Sequence, residues 1–266
     1  MTEFTYKEKY GIFSDKHKLV PAPNFMMRRR AILDAIRELK PGRLIEMGSG
    51  MGVCTYELYR KGFDCTGYDI EPKVVDMANA IFNSDGKMVI DFRSELYDSD
   101  KAAYDYLAAF EVLEHIKDDY SLVDSWSVLL KNEGRIIFSV PAKMKYFSYG
   151  DKVVGHLRRY EKKELINLLK TNLFEVELLI SYGFPFSNLT TRIVNLTYRR
   201  RQFQRLKNMT NSERSQASGY MRIDDYGYKK FIPYAMIYLF TKIQKLFYNK
   251  DLGLGYVVVA RKMQKQ

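Results

Sequence analysis

A mostly parallel, doubly wound α/β sheet of seven strands, with a long helical insertion ahead of the last strand, is the fold this sequence predicts. Three observations predict it. A short apolar run, Leu44-Ile45, leads into an acid and then into glycines at every second position, Gly48, Gly50 and Gly52, with a helical pattern directly behind them. A second strand-like run, Phe63 to Asp69, ends in another carboxylate. Strand-like and helical patterns then alternate at about ten to fifteen residues each as far as Pro141. A strand, a turn suited to glycine, a helix and a strand with a terminal carboxylate together describe a nucleoside-binding βαβ unit.

In chain order, residues 1–23 read as an extended N-terminal arm closing in Val20-Pro21-Ala22-Pro23. Asn24 is suited to cap a helix over Phe25 to Leu39, with Met27, Ile32, Ile36 and Leu39 on one face and Arg28-Arg29-Arg30 mostly on the other. Pro41-Gly42 stops it. The first strand is Leu44 to Met47, followed by a helix over Met51 to Arg60. The second strand is Asp64 to Asp69, and Pro72 stands near the first turn of a helix reaching Phe82. The third is Met88-Val89-Ile90, ending at Asp91-Phe92, and the fourth is Tyr106 to Phe110. A helix from Asp118 to Leu130 and a turn at Asn132-Glu133-Gly134 lead to the fifth, Arg135 to Val140. After a mobile-looking segment, Ala142 to Tyr160, come a helix (Glu161 to Leu169), a sixth strand (Phe174 to Ile180) and a last strand, Gly255 to Ala260.

The expectation is one domain over residues 1–266, into which residues 186–250 are inserted as a basic helical cap far longer than an ordinary connection. Within it, Asn188 to Leu206 reads as a helix carrying Arg199-Arg200-Arg201, residues 207–227 as a polar flexible stretch, and Phe231 to Tyr248 as a second amphipathic helix. Its apolar positions are Ile232, Met236, Leu239, Ile243 and Leu246. Of the 43 Lys and Arg, 22 lie from Asp151 onward, with only 9 of the 32 Asp and Glu, a balance of +13 there against −2 before it. That asymmetry asks for an acidic partner or surface. The two cysteines, Cys54 and Cys65, lack metal-ligand spacing and fit reduced thiols in a cytoplasmic protein. The longest apolar run, Phe231 to Phe240, is about half of the ~20 residues that span a bilayer, so at most a peripheral membrane contact is expected.

Glu46-Met47-Gly48-Ser49-Gly50-Met51-Gly52 resembles motif I (E/D-x-G-x-G-x-G) of the class I S-adenosylmethionine-dependent methyltransferases. Tyr104-Asp105-Tyr106 with Glu111-Val112-Leu113-Glu114-His115-Ile116 is similar to their strand 4 segment, in a form common to small-molecule enzymes including those of ubiquinone and menaquinone biosynthesis. Gly155-His156-Leu157-Arg158-Arg159-Tyr160 resembles a segment that many of them carry after strand 5. The resemblance implies a Rossmann-like fold, S-adenosyl-L-methionine as cofactor, and roles for individual residues. Glu46 and the glycines Gly48, Gly50 and Gly52 would lie near the amino-acid moiety, Asp69 on the ribose, and Asp91 and Phe92 along the adenine, with Ser49, Ile70, Phe110 and Glu111 as further cofactor contacts. The glycine spacing departs from the dehydrogenase G-x-G-x-x-G, because Val53 stands three residues after Gly50.

Methyl transfer asks the protein for alignment and, with a hydroxyl acceptor, for proton removal. Histidine has the suitable pKa, and His115 and His156 follow the fourth and fifth strands, at the edge where such sheets place ligands. No metal site is expected. The predicted function is methylation of a small-molecule or lipid-linked acceptor, at oxygen in preference to nitrogen. An RNA methyltransferase and a non-catalytic cofactor-binding or assembly protein are the alternatives. Phe110-Glu111-Val112-Leu113 does not match the Asn/Asp-Pro-Pro-aromatic signature of DNA amino-methyltransferases, which makes nucleic acid the less favoured partner.

Overall fold

The computed structural model describes residues 4–17, 19–83, 88–190 and 233–264. Strands are β1 (Thr5–Lys7), β2 (Gly11–Phe13), β3 (Arg43–Met47), β4 (Asp64–Tyr68), β5 (Asp91–Arg93), β6 (Tyr104–Phe110), β7 (Leu130–Pro141), β8 (Phe174–Tyr182) and β9 (Gly255–Lys262). Helices are α1 (Pro23–Ala35), α2 (Val53–Tyr59), α3 (Pro72–Phe82), α4 (Asp119–Ser127), α5 (Tyr149–Val153), α6 (Lys162–Thr171) and α7 (Tyr234–Ile243). Seven strands form one sheet in the order β5-β4-β3-β6-β7-β9-β8. Strands β5, β4, β3, β6 and β7 pair in parallel, and β9 runs antiparallel to both its neighbours. The sheet is therefore the mostly parallel, doubly wound one that the alternation predicts.

Both faces are covered, and the period-2 geometry of the strands sorts the residues between them. Leu44, Ala108 and Ile137 belong to one apolar layer with Met27 and Ile32 of α1, Leu58 of α2 and Ile81 of α3. Ile45, Leu107 and Phe138 belong to the other, with Trp126 of α4 and Leu165 of α6. The chain reverses direction across the sheet between β3 and β6, the outward strands from β3 being β4 and β5. Ligands of open α/β sheets sit at that reversal, beyond the carboxyl ends of the strands.

Several expectations are corrected. The N-terminal arm is a hairpin, β1 with β2, whose Tyr6 and neighbouring Phe4 pack edge-on against Tyr56 of α2. Helix α1 begins at Pro23 with Ala22 as its N-cap, so Asn24 lies inside the helix. Arg29 is buried, and only 11% of the Arg28 side chain is exposed; their acids, Glu57 and Glu111, arrive from distant segments. The third sheet strand is Asp91–Arg93, three residues later than the pattern Met88-Val89-Ile90 predicts. Met88 is exposed, and Asn83 instead ties down this stretch through Val89 N–H, Ile90 N–H and the Ile90 carbonyl. The segment after β7 is ordered around one carboxylate: Asp151 accepts from Ser148 N–H and Oγ and from Arg159, and stands 2.9 Å from His156 Nδ1.

Of the insertion, residues 191–232 lie outside the described residues, and with them the greater part of the helix expected over 188–206, its arginines, the polar stretch and Ile232. Helix α7 is present, but it docks by another face than the apolar spacing suggests. Met236, Leu239 and Leu246 are exposed, while Ile237, Thr241 and Gln244 are buried. The Gln244 amide explains the choice. Its oxygen accepts from Gly183 N–H and its nitrogen donates to the Met27 carbonyl, so a polar residue stitches the end of the insertion to β8 and α1.

Asp34 of α1 completes this attachment, accepting from Lys245 Nζ (2.8 Å), Tyr248 Oη (3.0 Å) and Arg30 Nε (3.0 Å). Burial pushes its carboxyl up, but the bonds from Lys245 and Arg30 outweigh burial and hold it below its ordinary value. Asp34→Asn is expected to lower stability by about 1–3 kcal/mol in urea unfolding, since charge-assisted bonds are lost. The folded-state pKa is the lower one, so this stabilisation is complete above the unfolded carboxylate pKa. It is lost as pH falls through the folded value, and the difference between wild type and variant should shrink in acid.

Candidate functional site

The glycine turn joins β3 to α2. Gly48, Gly50 and Gly52 all have left-handed φ, of 71°, 53° and 76°. A Cβ on Gly48 would lie 2.7 Å from Val112, and one on Gly52 2.4 Å from the Phe92 ring. Those two glycines are filled in by the protein itself. A Cβ on Gly50 would meet nothing within 4 Å, so the turn opens outward at this one position. Asp69, just beyond β4, holds the turn: one carboxylate oxygen accepts Gly50 N–H at 2.9 Å and the other Glu71 N–H at 3.0 Å. Each oxygen keeps lone-pair capacity for a further donor. Glu46 is buried at the end of β3 and accepts from Thr55 Oγ1 at 2.6 Å. The Ser49 hydroxyl is buried with no hydrogen-bond partner.

Val112, which closes over Gly48, belongs to the loop after β6, so this loop and the glycine turn are in contact. Glu111 opens the loop in the left-handed region, φ 58°, a conformation that costs a non-glycine residue roughly 1–2 kcal/mol. Its carboxylate accepts from Ser139 Oγ (3.1 Å) and Tyr182 Oη (3.3 Å) and pairs with Arg28 (3.3 Å). Burial, then Glu111, push the Tyr182 hydroxyl well up, so it stays a donor. Burial opposes the Arg28 charge, yet the Glu111 carboxylate more than compensates and the guanidinium stays charged.

Glu114 is fully buried, and neither carboxylate oxygen has a hydrogen-bond partner. Burial, then the charge of Glu111, push its pKa well above the ordinary value. His156 Nε2 stands 3.5 Å from Glu114 Oε1. The His115 and His156 rings meet edge to face at 4.9 Å between centroids, and His115 Nδ1 is 3.3 Å from the Gly155 carbonyl. The two histidines that follow different strands in the sequence thus converge on one buried acid.

A glycine turn open at Gly50, braced by a strand-terminal carboxylate and abutted by the loop after β6, matches a known pattern over much of the chain. The model of the methyltransferase-domain family matches residues 25–179. The chain belongs to this methyltransferase family. Among curated relatives, the ubiquinone biosynthesis O-methyltransferase of Xylella fastidiosa is 30% identical over 105 residues, 38% of this chain and 42% of the relative. That of Vibrio cholerae is 27% identical over 132 residues, 48% and 52% of the two chains. The chain spans about half the length of the curated relatives it matches. Solved structures with the same fold include the 4+2 cyclase SpnF, with TM-score 0.60 and 16% identity, covering 97% of this chain and 88% of that one. Another is phosphoethanolamine N-methyltransferase 2 of Haemonchus contortus in complex with S-adenosyl-L-methionine, with TM-score 0.53 and 16% identity, covering 89% and 52%.

The methyltransferase domain's cofactor is S-adenosylmethionine, and the residues present fit it. The turn is open over Gly50, whose N–H binds an Asp69 carboxylate that keeps spare lone pairs, and the buried Ser49 hydroxyl has no hydrogen-bond partner of its own. Ile70, 81% exposed, projects beyond Asp69. Three predicted residues sit elsewhere than expected. Asp91 opens β5 instead of ending its strand, pairs in register with Thr66, and lies 3.5 Å from the Arg93 guanidinium. Phe92 is a buried floor beneath Gly52 and Gly67, and Phe110 is likewise in the core. Arg28, Glu114, Asp151 and Tyr182 belong to the site and escape the sequence reading. Glu114 had a signal, since it adjoins His115 in an otherwise apolar loop. Arg28 and Tyr182 had none, because only the closed sheet brings them to Glu111.

Proposed function

We propose that this chain transfers a methyl group from S-adenosylmethionine to an oxygen of a small-molecule or lipid-linked acceptor. The observation that carries the reading is the cluster of Glu114, His115 and His156 beside the loop that touches the glycine turn. Bound S-adenosylmethionine supplies an electrophilic methyl on a sulfonium sulfur. The chain's own residues do the rest. The turn from Glu46 to Gly52 receives the amino-acid end at its open position over Gly50, Asp69 accepts from the ribose hydroxyls, and Ile70 flanks the base. Glu111, held by Arg28, Ser139 and Tyr182, fixes the loop after β6. His156 and His115 receive the acceptor hydroxyl and its proton, as suits imidazole nitrogens near neutral pH. A hydroxyl needs this help far more than a neutral amine, which supports oxygen as the methylated atom.

Residues 186–250 are read as a cap over the acceptor side. The cap leaves from Tyr182 and returns at Gly255, which are register partners at the carboxyl edge of β8. The exposed Met236, Leu239 and Leu246 near Lys242 also support peripheral lipid contact, while no helix among the described residues is long and apolar enough to cross a membrane. The test is incubation with methyl-labelled S-adenosylmethionine and separated lipid, small-molecule and RNA fractions of a cell extract. Label is expected in the lipid or small-molecule fraction, in a linkage stable to base as a methyl ether is. Label in RNA would replace this reading with the RNA methyltransferase, and cofactor binding without transfer to any fraction would replace it with the non-catalytic protein.

A further inference from the structure

A helix places the hydroxyl of a serine or threonine within reach of the carbonyl three or four residues back, a bond such side chains commonly make. Ser125 and Ser127 of α4, Thr171 of α6 and Thr241 of α7 make it, donating to the carbonyls of Leu122, Asp124, Asn167 and Tyr238. Thr55 of α2 does not. Its Oγ1 donates across the glycine turn to Glu46 Oε2 on β3, at 2.6 Å. Both residues are sealed from solvent, so the carboxylate depends on protein donors and the hydroxyl supplies one. The bond is not needed to set the path of the backbone. Ser49 N–H to the Tyr68 carbonyl, Gly52 N–H to the Ser49 carbonyl, Tyr56 N–H to the Gly52 carbonyl and Gly50 N–H to Asp69 already define the turn. Leu44 of β3 and Leu58 of α2 share one apolar layer and hold strand and helix together. What those contacts leave open is the direction of the Glu46 carboxylate, which sits at the end of a long side chain. Thr55 settles that direction, because a β-branched side chain in a helix has few χ1 choices.

We propose that Thr55 is a positioning residue for the cofactor, aiming the Glu46 carboxylate at the ammonium group of S-adenosylmethionine. The inference rests on the place given above to Glu46, at the amino-acid end. A carboxylate offers about four lone-pair sites, and one hydroxyl bond uses one of them, so acceptor capacity remains for an ammonium donor. Bonds between ionised partners are short and directional, and a carboxylate turned away from its donor forfeits most of their value. Thr55 acts only through Glu46. It therefore matters for ligands that carry the amino-acid end and is indifferent to those that lack it. Methylthioadenosine is such a ligand, sharing the nucleoside and the sulfur of S-adenosylhomocysteine without the amino acid.

The experiment titrates the full-length protein and its variants calorimetrically with S-adenosylhomocysteine and, separately, with methylthioadenosine. Thr55→Val replaces the hydroxyl by a methyl of nearly the same shape. It should weaken S-adenosylhomocysteine about 10–100-fold, the worth of one bond to a charged group, and leave methylthioadenosine within about threefold. Thr55→Ser restores the hydroxyl and should return S-adenosylhomocysteine to within about threefold of wild type. Thr55→Cys, a small buried side chain with a weak donor, should fall between valine and wild type, and it carries the test where the valine variant does not fold. Methylthioadenosine binding reports the intact fold of each sample. S-adenosylhomocysteine affinity unchanged in Thr55→Val, or an equal loss of both ligands, overturns the positioning role. Glu46→Gln separates that failure from a failure of the reading beneath it. Loss of S-adenosylhomocysteine alone in Glu46→Gln, with Thr55→Val unaffected, keeps Glu46 at the amino-acid end and removes Thr55. Both ligands unchanged in Glu46→Gln removes Glu46 from that end and Thr55 with it.

Discussion

Gly50→Val is expected to abolish cofactor binding in a protein that still folds, whereas Gly52→Ala, the milder change on paper, is expected to damage the fold. Both positions have left-handed φ, so any side chain costs roughly 1–2 kcal/mol in backbone strain. They differ in what the side chain meets. At Gly50 there is open space, and the branched valine would occupy the volume the ligand needs. At Gly52 the new Cβ would lie 2.4 and 2.6 Å from two atoms of the Phe92 ring and 3.1 Å from Phe82. Both rings belong to the apolar core and cannot swing away, so overpacking adds about 1–3 kcal/mol. Calorimetric titration with S-adenosylhomocysteine and thermal melting separate the two. Gly50→Val should lose at least ~100-fold in affinity with a melting shift of only a few degrees, at about 2–4 °C per kcal/mol for a domain of this size. Gly52→Ala should melt on the order of 5–15 °C lower. Affinity in Gly50→Val within threefold of wild type would remove the turn from the cofactor site.

The second large effect lies far from the chemistry. Arg29 and Glu57 form a two-pronged pair, Nε to Oε1 at 2.6 Å and Nη2 to Oε2 at 2.7 Å, with side chains only 7% and 5% exposed. Tyr6 donates to Glu57 at 3.0 Å and accepts from Arg29 Nη2 at 3.1 Å, and the Glu8 carbonyl accepts from the same nitrogen at 3.1 Å. One pair thus ties the N-terminal hairpin, α1 and α2 together. Glu57→Leu leaves a guanidinium buried without its counter-charge and should cost about 3–5 kcal/mol in urea unfolding. Arg29→Met in the same chain should recover a large share, because the stranded charge rather than the missing pair dominates the loss. A single variant costing under about 1 kcal/mol, within the range of an exposed pair, would contradict this account.

How much of this was legible in the sequence follows the range of the interactions. Strand alternation and the glycine turn are local, so β3, α2, β4 and β6 lie where Leu44-Ile45, Gly48 to Gly52, Asp69 and Phe110 predict. Strand β5 was misplaced because only three residues pair in it, and Asn83 anchors the apolar residues before it from the end of α3. The arginines of α1 read as a solvated face, because the acids that bury them, Glu57 and Glu111, lie 28 and 83 positions away in the sequence. Helix α7 was given the wrong inner face since periodicity ranks Met236 and Leu239 above a glutamine, and only the Gly183 amide and the Met27 carbonyl explain why Gln244 is inside. His115 and His156 were identifiable by chemistry. Their meeting over Glu114 depended on Gly155 and Asp151, which tie down a segment that reads as mobile.

The pairing of Tyr182 with Gly255 has an evolutionary corollary. A long excursion whose two feet stand one ladder step apart can be lengthened, shortened or exchanged without shifting the register of any strand. Each doubling of such a loop costs only about 0.6 kcal/mol in closure entropy. The stretch between Tyr182 and Gly255 is therefore free to vary without disturbing the glycine turn, which lies on the other side of β6.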